Sequence, residues 1–295
     1  MQSINPRNAA KPSPSFDRSR ATGPTVRSPT PHRNPPTIAL LSDFGTSDHY
    51  VGVMKGIILT KVPLARIIDI THEVEPGRIR QGAYALWAAE KHMPRGTVVV
   101  AVVDPEVGTE RGVVVAQVDS RWFVAPDNGL LDLVLADHPD TRVITVDLDK
   151  ASKLLLHPRS ATFHGRDVFA PLAAHIANGK KILRYGTSAR RTVSPWLTLR
   201  GSNDPQPTIL SVDRFGNIIT NISIPTGTHV QETVRMIGIA KVMISVCIDT
   251  YADAPDNTPC MIAGSSGLLE IVVRNGSASS MLRATDRTPV QVVWA

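Results

Sequence analysis

Thr97-Val-Val-Val-Ala-Val-Val103 is an unbroken run of β-branched and small apolar side chains, and it ends on Asp104-Pro105. A strand with one wet face alternates apolar and polar residues. A run with no polar position belongs to a strand covered on both faces, as in a parallel sheet layered between helices. The flanking sequence agrees with that reading. Thr37–Ser42, Ala65–Ile70, Val113–Val118, Trp122–Val124 and Val143–Val146 read as further strands. Tyr50–Lys61, Arg78–His92, Leu130–Ala136 and Asp167–Asn178 carry helical spacing. Strands alternating with helices predict an α/β layer with a largely parallel sheet.

Around Pro195–Pro207 the composition shifts to Gly, Ser, Asn, Asp and Pro, which marks a linker. Beyond it helices are scarce. Thr208–Val212, Ile218–Ile222, Val234–Ile239, Met243–Ile248, Leu268–Val273 and Val290–Trp294 read as short strands of a smaller β-domain, a barrel or sandwich. The expected division is therefore an α/β domain over 37–200 and an all-β domain over 201–295. No internal repeat is visible.

Residues 1–36 differ in kind. They hold eight prolines, six basic residues and one acid, Asp17, with few large apolar side chains. Such a segment cannot bury enough surface to offset its ordering entropy, and disorder is expected. It also explains the charge. Of the net +6, the first 36 residues supply 6 − 1 = +5, leaving 26 basic and 25 acidic residues for the rest. The body is close to neutral and shows no basic stripe with interleaved aromatics, which argues against nucleic-acid binding. No apolar run is long enough to span a membrane. The first residues lack the apolar core of a secretory signal. Two cysteines, Cys247 and Cys260, make neither a disulfide framework nor a zinc pattern, so a reducing, cytoplasmic setting is expected.

Polar segments beside apolar strands mark the candidate site. Asp43 follows the first strand and Asp104 follows the strongest one. In open α/β sheets ligands bind beyond the carboxyl ends of strands. Asp43 is either a turn residue or an acceptor for two vicinal hydroxyls. Arg111 lies a short turn after Asp104 and can fold back onto it, as a structural clamp or as part of a site. His164, in Phe163-His-Gly-Arg-Asp167, can act as a base or orient a water. His72 follows another strand end with the same ambiguity. Asp213-Arg-Phe-Gly-Asn217 is a tight turn in which Phe215 can stack on a base and Asn217 can pair with its edge, or a plain hairpin turn. Gly264-Ser-Ser-Gly267 offers hydroxyls and free amides. Asp127-Asn128-Gly129 is a turn signal. No spacing matches a metal motif.

Together these pieces resemble the S-adenosyl-L-methionine (SAM) hydroxide adenosyltransferase family, the adenosine-forming SAM hydrolases related to the fluorinase and chlorinase. The resemblance spans about Thr37 to Val292. It rests on SDFGTSDHYVGVMKG (42–56), DITHEVEPGRIRQGA (69–83), GTVVVAVVDPEVGTER (96–111), PDNGLL (126–131), TFHGRD (162–167), VDRFGNIITNI (212–222) and SSGLLEI (265–271), in that order. It implies a two-domain subunit, a homotrimer, and SAM bound between the first domain of one subunit and the second domain of its neighbour. It implies hydrolysis at C5′ to adenosine and L-methionine, with no metal or organic cofactor. The water-activating set would be Asp104, Arg111 and His164, with Arg111 lowering the pKa of the water while Asp104 and His164 orient it and accept its proton. Asp43 would hold the ribose hydroxyls, Phe215 and Asn217 the adenine, and Asp213 with Ser265 and Ser266 the methionine end.

Two features set limits. The halogenating relatives carry tyrosines in place of Asp104 and His164 and an insertion after the Arg111 region. Only eleven residues separate Arg111 from Phe123 here, which disfavours a halogenase. Glu106 stands where the family has glycine. If that position needs a positive φ, Glu is strained, and a SAM or adenosine sensor with little turnover becomes the alternative.

Overall fold

The computed structural model describes residues 34–191 and 193–295. The tail reading over 1–36 lies almost wholly outside them. The first half of the chain runs β1 (Thr37–Ser42), α1 (Tyr50–Lys61), β2 (Arg66–Thr71), α2 (Ile79–Glu90), β3 (Val98–Val102), β4 (Val113–Val118) and β5 (Arg121–Pro126). It continues with α3 (Asp132–Asp137), β6 (Arg142–Val146), α4 (Ala170–Ala177) and β7 (Gly186–Arg190). These strands form one sheet in the order β2-β1-β3-β5-β4-β6-β7. The pairs β1–β2, β1–β3 and β3–β5 are parallel, and β4 and β7 run against their neighbours. The largely parallel sheet expected from the sequence is thus found.

The apolar run explains itself. Val98, Val100 and Val102 face a core layer with Ile38 and Leu40, covered by Met54 and Ile58 of α1 and Leu172 of α4. Val99, Ala101 and Val103 face the other layer with Ala39 and Leu41, covered by Leu86 of α2 and Val134 of α3. Consecutive side chains point to opposite faces, so each face needs its own apolar set and no polar position remains. Full burial of each valine contributes about 1.5–3 kcal/mol.

The second half holds β8 (Ile209–Val212), β9 (Ile218–Ser223), α5 (Val230–Thr233), β10 (Val234–Ile239), β11 (Val242–Ile244), β12 (Pro259–Ala263), β13 (Leu268–Val273), α6 (Ala278–Leu282) and β14 (Val290–Trp294). A four-stranded antiparallel sheet, β12-β13-β9-β8, packs with a three-stranded one, β11-β10-β14, around Ile209, Ile218, Ile237 and Ile271. Leu210, Ile219 and Leu268 also join the core layer under α2. Pro35–Ala295 accordingly holds together as one compact unit.

The departures from the sequence reading have local causes. β7 is a polar edge strand with no apolar alternation to reveal it. The strand expected over Met243–Ile248 stops at Ile244, because the chain then leaves β10. Val246 and Ile248 bond instead to Met261 of β12. The helix expected from Asp167 begins earlier, with a π-helical turn over Gly165–Phe169 that leads into α4.

Candidate active site

The strand order puts β1 between β2 and β3. The crossover after β1 leads to one side and the crossover after β2 to the other, so a crevice opens at the carboxyl ends of β1 and β3. Asp43 and Asp104 stand at those two ends. The segment after Asp104 turns sharply. Thr109 N–H donates to the Glu106 carbonyl at 3.1 Å, and Gly108 takes φ +85°. A Cβ at Gly108 would clash with the Ala161 carbonyl oxygen, so this turn requires glycine there.

The turn returns Arg111 to Asp104. Arg111 Nε donates to both carboxylate oxygens at 2.9 Å, and Nη2 donates to Oδ2 as well. Both side chains are only 4% exposed. Nη2 also reaches His164 Nδ1 at 2.9 Å, and the guanidinium carbon lies 5.3 Å from the Phe169 ring centre. Guanidinium only donates. His164 Nδ1 must therefore accept, and a neutral ring carries its proton on Nε2. Burial lowers the His164 pKa below its usual value, and the Arg111 charge lowers it further against the opposing pull of Asp104. The ring is held neutral, with an N–H rather than a lone pair to offer.

A cavity of about 300 Å³ lies over this group, lined by Phe44, Tyr50, Asp104, Val107, Phe163 and His164 among others. Its aromatic wall is interlocked. Phe163 meets Tyr50 edge-on at 5.1 Å and Phe44 at 6.1 Å. Asp43, at the neighbouring strand end, is near enough to feel the Asp104 charge. Its Oδ2 accepts from Gly77 N–H at 2.8 Å. Burial raises its pKa, two backbone amides oppose that, and the Asp104 charge adds to the rise.

Glu106 does not behave as feared. Its φ is not positive, its side chain is exposed, and it does not line the cavity. The positive φ of this loop falls on Gly108 instead, so Glu106 carries no left-handed strain.

The remaining candidates sit elsewhere. Asp213 Oδ1 accepts from the backbone of Phe215 at 2.9 Å and of Asn217 at 2.8 Å, and Oδ2 from Asn217 Nδ2 at 2.9 Å. The turn is braced from within, and Phe215 projects from it, 76% exposed. Gly216 takes φ +85°, and a Cβ there would run into Ser277. Asp213, Phe215 and Asn217 border a concavity of about 930 Å³ with Tyr251, Arg274 and Ser277. Behind it Tyr251 donates to the buried Glu270 at 3.2 Å. Burial and the Glu270 charge push the Tyr251 phenol up to about 12. Ser265 and Ser266 lie on the turn between β12 and β13, where the Ser266 hydroxyl is buried beside Tyr84. None of these residues lines the cavity over Asp104.

The model of the SAM hydroxide adenosyltransferase N-terminal domain matches residues 38–186, and that of the C-terminal domain matches 207–291. The chain belongs to the SAM hydroxide adenosyltransferase family. A Thermus thermophilus protein named (R)-S-adenosyl-L-methionine hydrolase is 37% identical, covering 87% of this chain and 99% of that protein. A Methanocaldococcus jannaschii protein of the same name is 34% identical over 87% of this chain and 95% of its own. A fluorinase of Actinopolyspora mzabensis is more distant, at 25% over 82% and 92%. Among solved structures, an uncharacterized conserved protein from Thermotoga maritima superposes with a TM-score of 0.73 at 32% identity, covering 87% of this chain and all of its own.

Within this member of the SAM hydroxide adenosyltransferases, sequence reasoning missed the aromatic wall. Tyr50 opens α1 and Phe163 precedes the π-helical turn, where an aromatic reads as core. The usable signal was their position, each at an element end within a polar segment.

Proposed function

We propose that this protein hydrolyses S-adenosyl-L-methionine at C5′, giving adenosine and L-methionine. The observation that carries the proposal is the Asp104–Arg111–His164 group, buried under a cavity at the sheet's switch point. The sulfonium makes the methionine thioether a good leaving group. The water oxygen bonds to C5′ while the C5′–S bond breaks, and that electron pair stays on sulfur. A proton leaves the water.

The hydrogen bonds support a division of labour. Arg111 occupies one site on Asp104 Oδ1 and two on Oδ2, so Oδ1 keeps a lone pair for the water proton. His164 Nε2–H orients the water oxygen, and the sequence-based share of His164 in taking the proton passes to Asp104. Holding the water in line with the C5′–S bond is a proximity effect. Asp43 holds the ribose hydroxyls, Phe215 and Asn217 the adenine, and Asp213, Ser265 and Ser266 the methionine end. The (R) in the relatives' names is the sulfur configuration we extend to this chain.

The finer claims have their own support. Two separate concavities, one with Asp104 and His164 and one with Asp213, Phe215 and Asn217, support a site shared between copies, and we assign a homotrimer. Free Cys247 and Cys260 support a cytoplasmic setting. The gap at 187–206 between the family matches supports the domain division near residue 200.

The test is to incubate the protein with each sulfonium epimer in ¹⁸O-water, with and without chloride, and to separate the products. Adenosine labelled at its 5′-oxygen, with equimolar methionine and no chloride dependence, is expected. Bound but intact SAM would sink the hydrolase reading.

A further inference from the structure

One polar chain beside the site has no part in the chemistry above. Lys55 Nζ donates to Asp69 Oδ2 at 2.6 Å, and Asp69 Oδ1 lies 3.0 Å from His72 Nε2. His72 Nδ1 in turn lies 2.7 Å from Ser42 Oγ. A carboxylate only accepts, so His72 donates from Nε2, and in the neutral ring Nδ1 accepts a hydrogen bond from the Ser42 hydroxyl. Ser42 Oγ then accepts from Phe44 N–H at 3.4 Å, the long end of the range.

Serine, histidine and aspartate in that order resemble a nucleophile and its base. The burial excludes it. Ser42 is 1% exposed and His72 4%, and neither lines the cavity over Asp104. What the chain does touch is the turn Asp43-Phe44. His72 grips it at both ends, through its side chain to Ser42 and through its carbonyl, which accepts from Gly45 N–H at 2.7 Å. The β1–β2 register supports the grip. It slips between Leu40 and Leu41, pairing Leu40 with Asp69 but Leu41 with Thr71. The slip lets Ile70 go unpaired just before His72.

We propose that His72 is a positioning residue that, through Ser42, fixes Asp43 for the ribose hydroxyls. The inference rests on the ribose role given to Asp43 above. The Asp43 carboxylate is held by backbone amides, that of Gly77 and its own, so its aim depends on the turn that carries it. Phe44, on the same turn, belongs to the cavity wall.

The experiment divides the His72 contacts. Asparagine places its amide where Nδ1 was and keeps the Ser42 partner. Glutamine reaches Asp69 and loses Ser42. His72→Asn, His72→Gln and Ser42→Ala are compared with the unaltered protein, after thermal melts confirm folding. The readouts are kcat and KM for SAM, and calorimetric binding of adenosine against 2′-deoxyadenosine and 3′-deoxyadenosine. The unaltered protein is expected to prefer adenosine about tenfold or more. His72→Gln and Ser42→Ala should raise KM about tenfold, hold kcat within about threefold, and lose most of that preference, since a buried partner is left unpaired. His72→Asn should retain both. If the unaltered protein prefers adenosine and His72→Gln and Ser42→Ala keep that preference, the positioning role is refuted while the ribose role of Asp43 stands. If the unaltered protein shows no preference, the ribose role falls and takes this inference with it. A fall in kcat at constant KM would place His72 with the reacting groups and refute the proposal as well.

Discussion

Asp104–Arg111, with His164 against it, and Asp213–Asn217 are both polar turns that follow apolar strands, yet they are finished to different degrees. The first is closed. Its charges are paired, its side chains are almost fully covered, and its cavity has aromatic walls from the same chain. The second is open. Its carboxylate braces its own turn and keeps one acceptor site on Oδ2, and its aromatic stands in solvent at 76% exposure. Chemistry needs atoms fixed to within fractions of an ångström, which a single chain supplies by burying a paired charge. Recognition of a flat base needs a second wall, and Phe215 is left 76% exposed among the described residues. The difference is what the proposed shared site requires, with the closed end from one copy meeting the open surface of another.

Breaking the closed region should have the largest effect. Asp104→Asn removes the charge that balances Arg111 and weakens the acceptor for the water proton. Turnover is expected to fall by about 10²–10⁴-fold, the range for loss of a general base, with SAM affinity little changed. Asp104→Ala adds a stability cost of about 3–5 kcal/mol, because it leaves a buried guanidinium unpaired. Single-turnover kinetics and denaturant titration separate the two. Equal losses in affinity and turnover would mean that Asp104 binds substrate rather than serving the water.

Breaking the open region should cost less and show itself differently. Phe215→Ala removes one stacking face, about 1–3 kcal/mol, so KM is expected to rise about 10–100-fold with kcat nearly preserved. Mixing sharpens the comparison. Asp104→Asn and Phe215→Ala proteins, each impaired, are unfolded together and refolded. Mixed assemblies then contain sites with both surfaces intact, and activity should recover to a fraction near the statistical share. No recovery, with mixed assemblies confirmed by mass, would mean that each site draws on one chain alone.

The same contrast explains what could be read in the sequence. The sheet was legible because burial on two faces leaves no polar position in 97–103. The neighbouring carboxylates were legible because parallel strands align their carboxyl ends, so Asp43 and Asp104 fall side by side wherever β1 and β3 are neighbours. β7 was not legible, since Gly186–Arg190 is held by backbone pairing to β6 and exposes most of its side chains. The His72 grip was only half visible. The residue stood out at a strand end, but its contact with Ser42 depends on a register slip that no residue pattern announces. The brace inside Asp213–Asn217 was likewise hidden, because a turn motif does not say whether its carboxylate faces a ligand or its own amides.

A pH series tests the closed region without mutation. The His164 pKa is lowered in the folded chain, so the unfolded chain takes up that proton first as pH falls. The His164 contribution to stability is therefore full above about pH 6.5 and declines as pH drops from there toward the folded pKa. Asp43, whose pKa is raised, works in the opposite sense in the acid range above the usual carboxylate value. If neutral His164 orients the water, the acid limb of kcat should lie below pH 6.5. His164→Asn should remove that part of the stability slope. A limb at or above 6.5 would mean that the protonated ring is the working form.

Glu106→Gly should have the smallest effect, and it bears on where the closed region ends. The carboxylate is exposed, outside the cavity wall, and on a backbone that any residue can adopt. Glycine there gains no relief of strain and loosens the unfolded chain, so stability should fall by about 0.4–1 kcal/mol at most. Kinetic constants should stay within about twofold. A large rise in turnover would show that the carboxylate swings over the cavity when substrate is bound, bringing a charge into the closed region that the free chain keeps outside. An unchanged rate would fix the boundary between Asp104, whose charge is enclosed and paired, and Glu106, two residues on, whose charge is left to solvent.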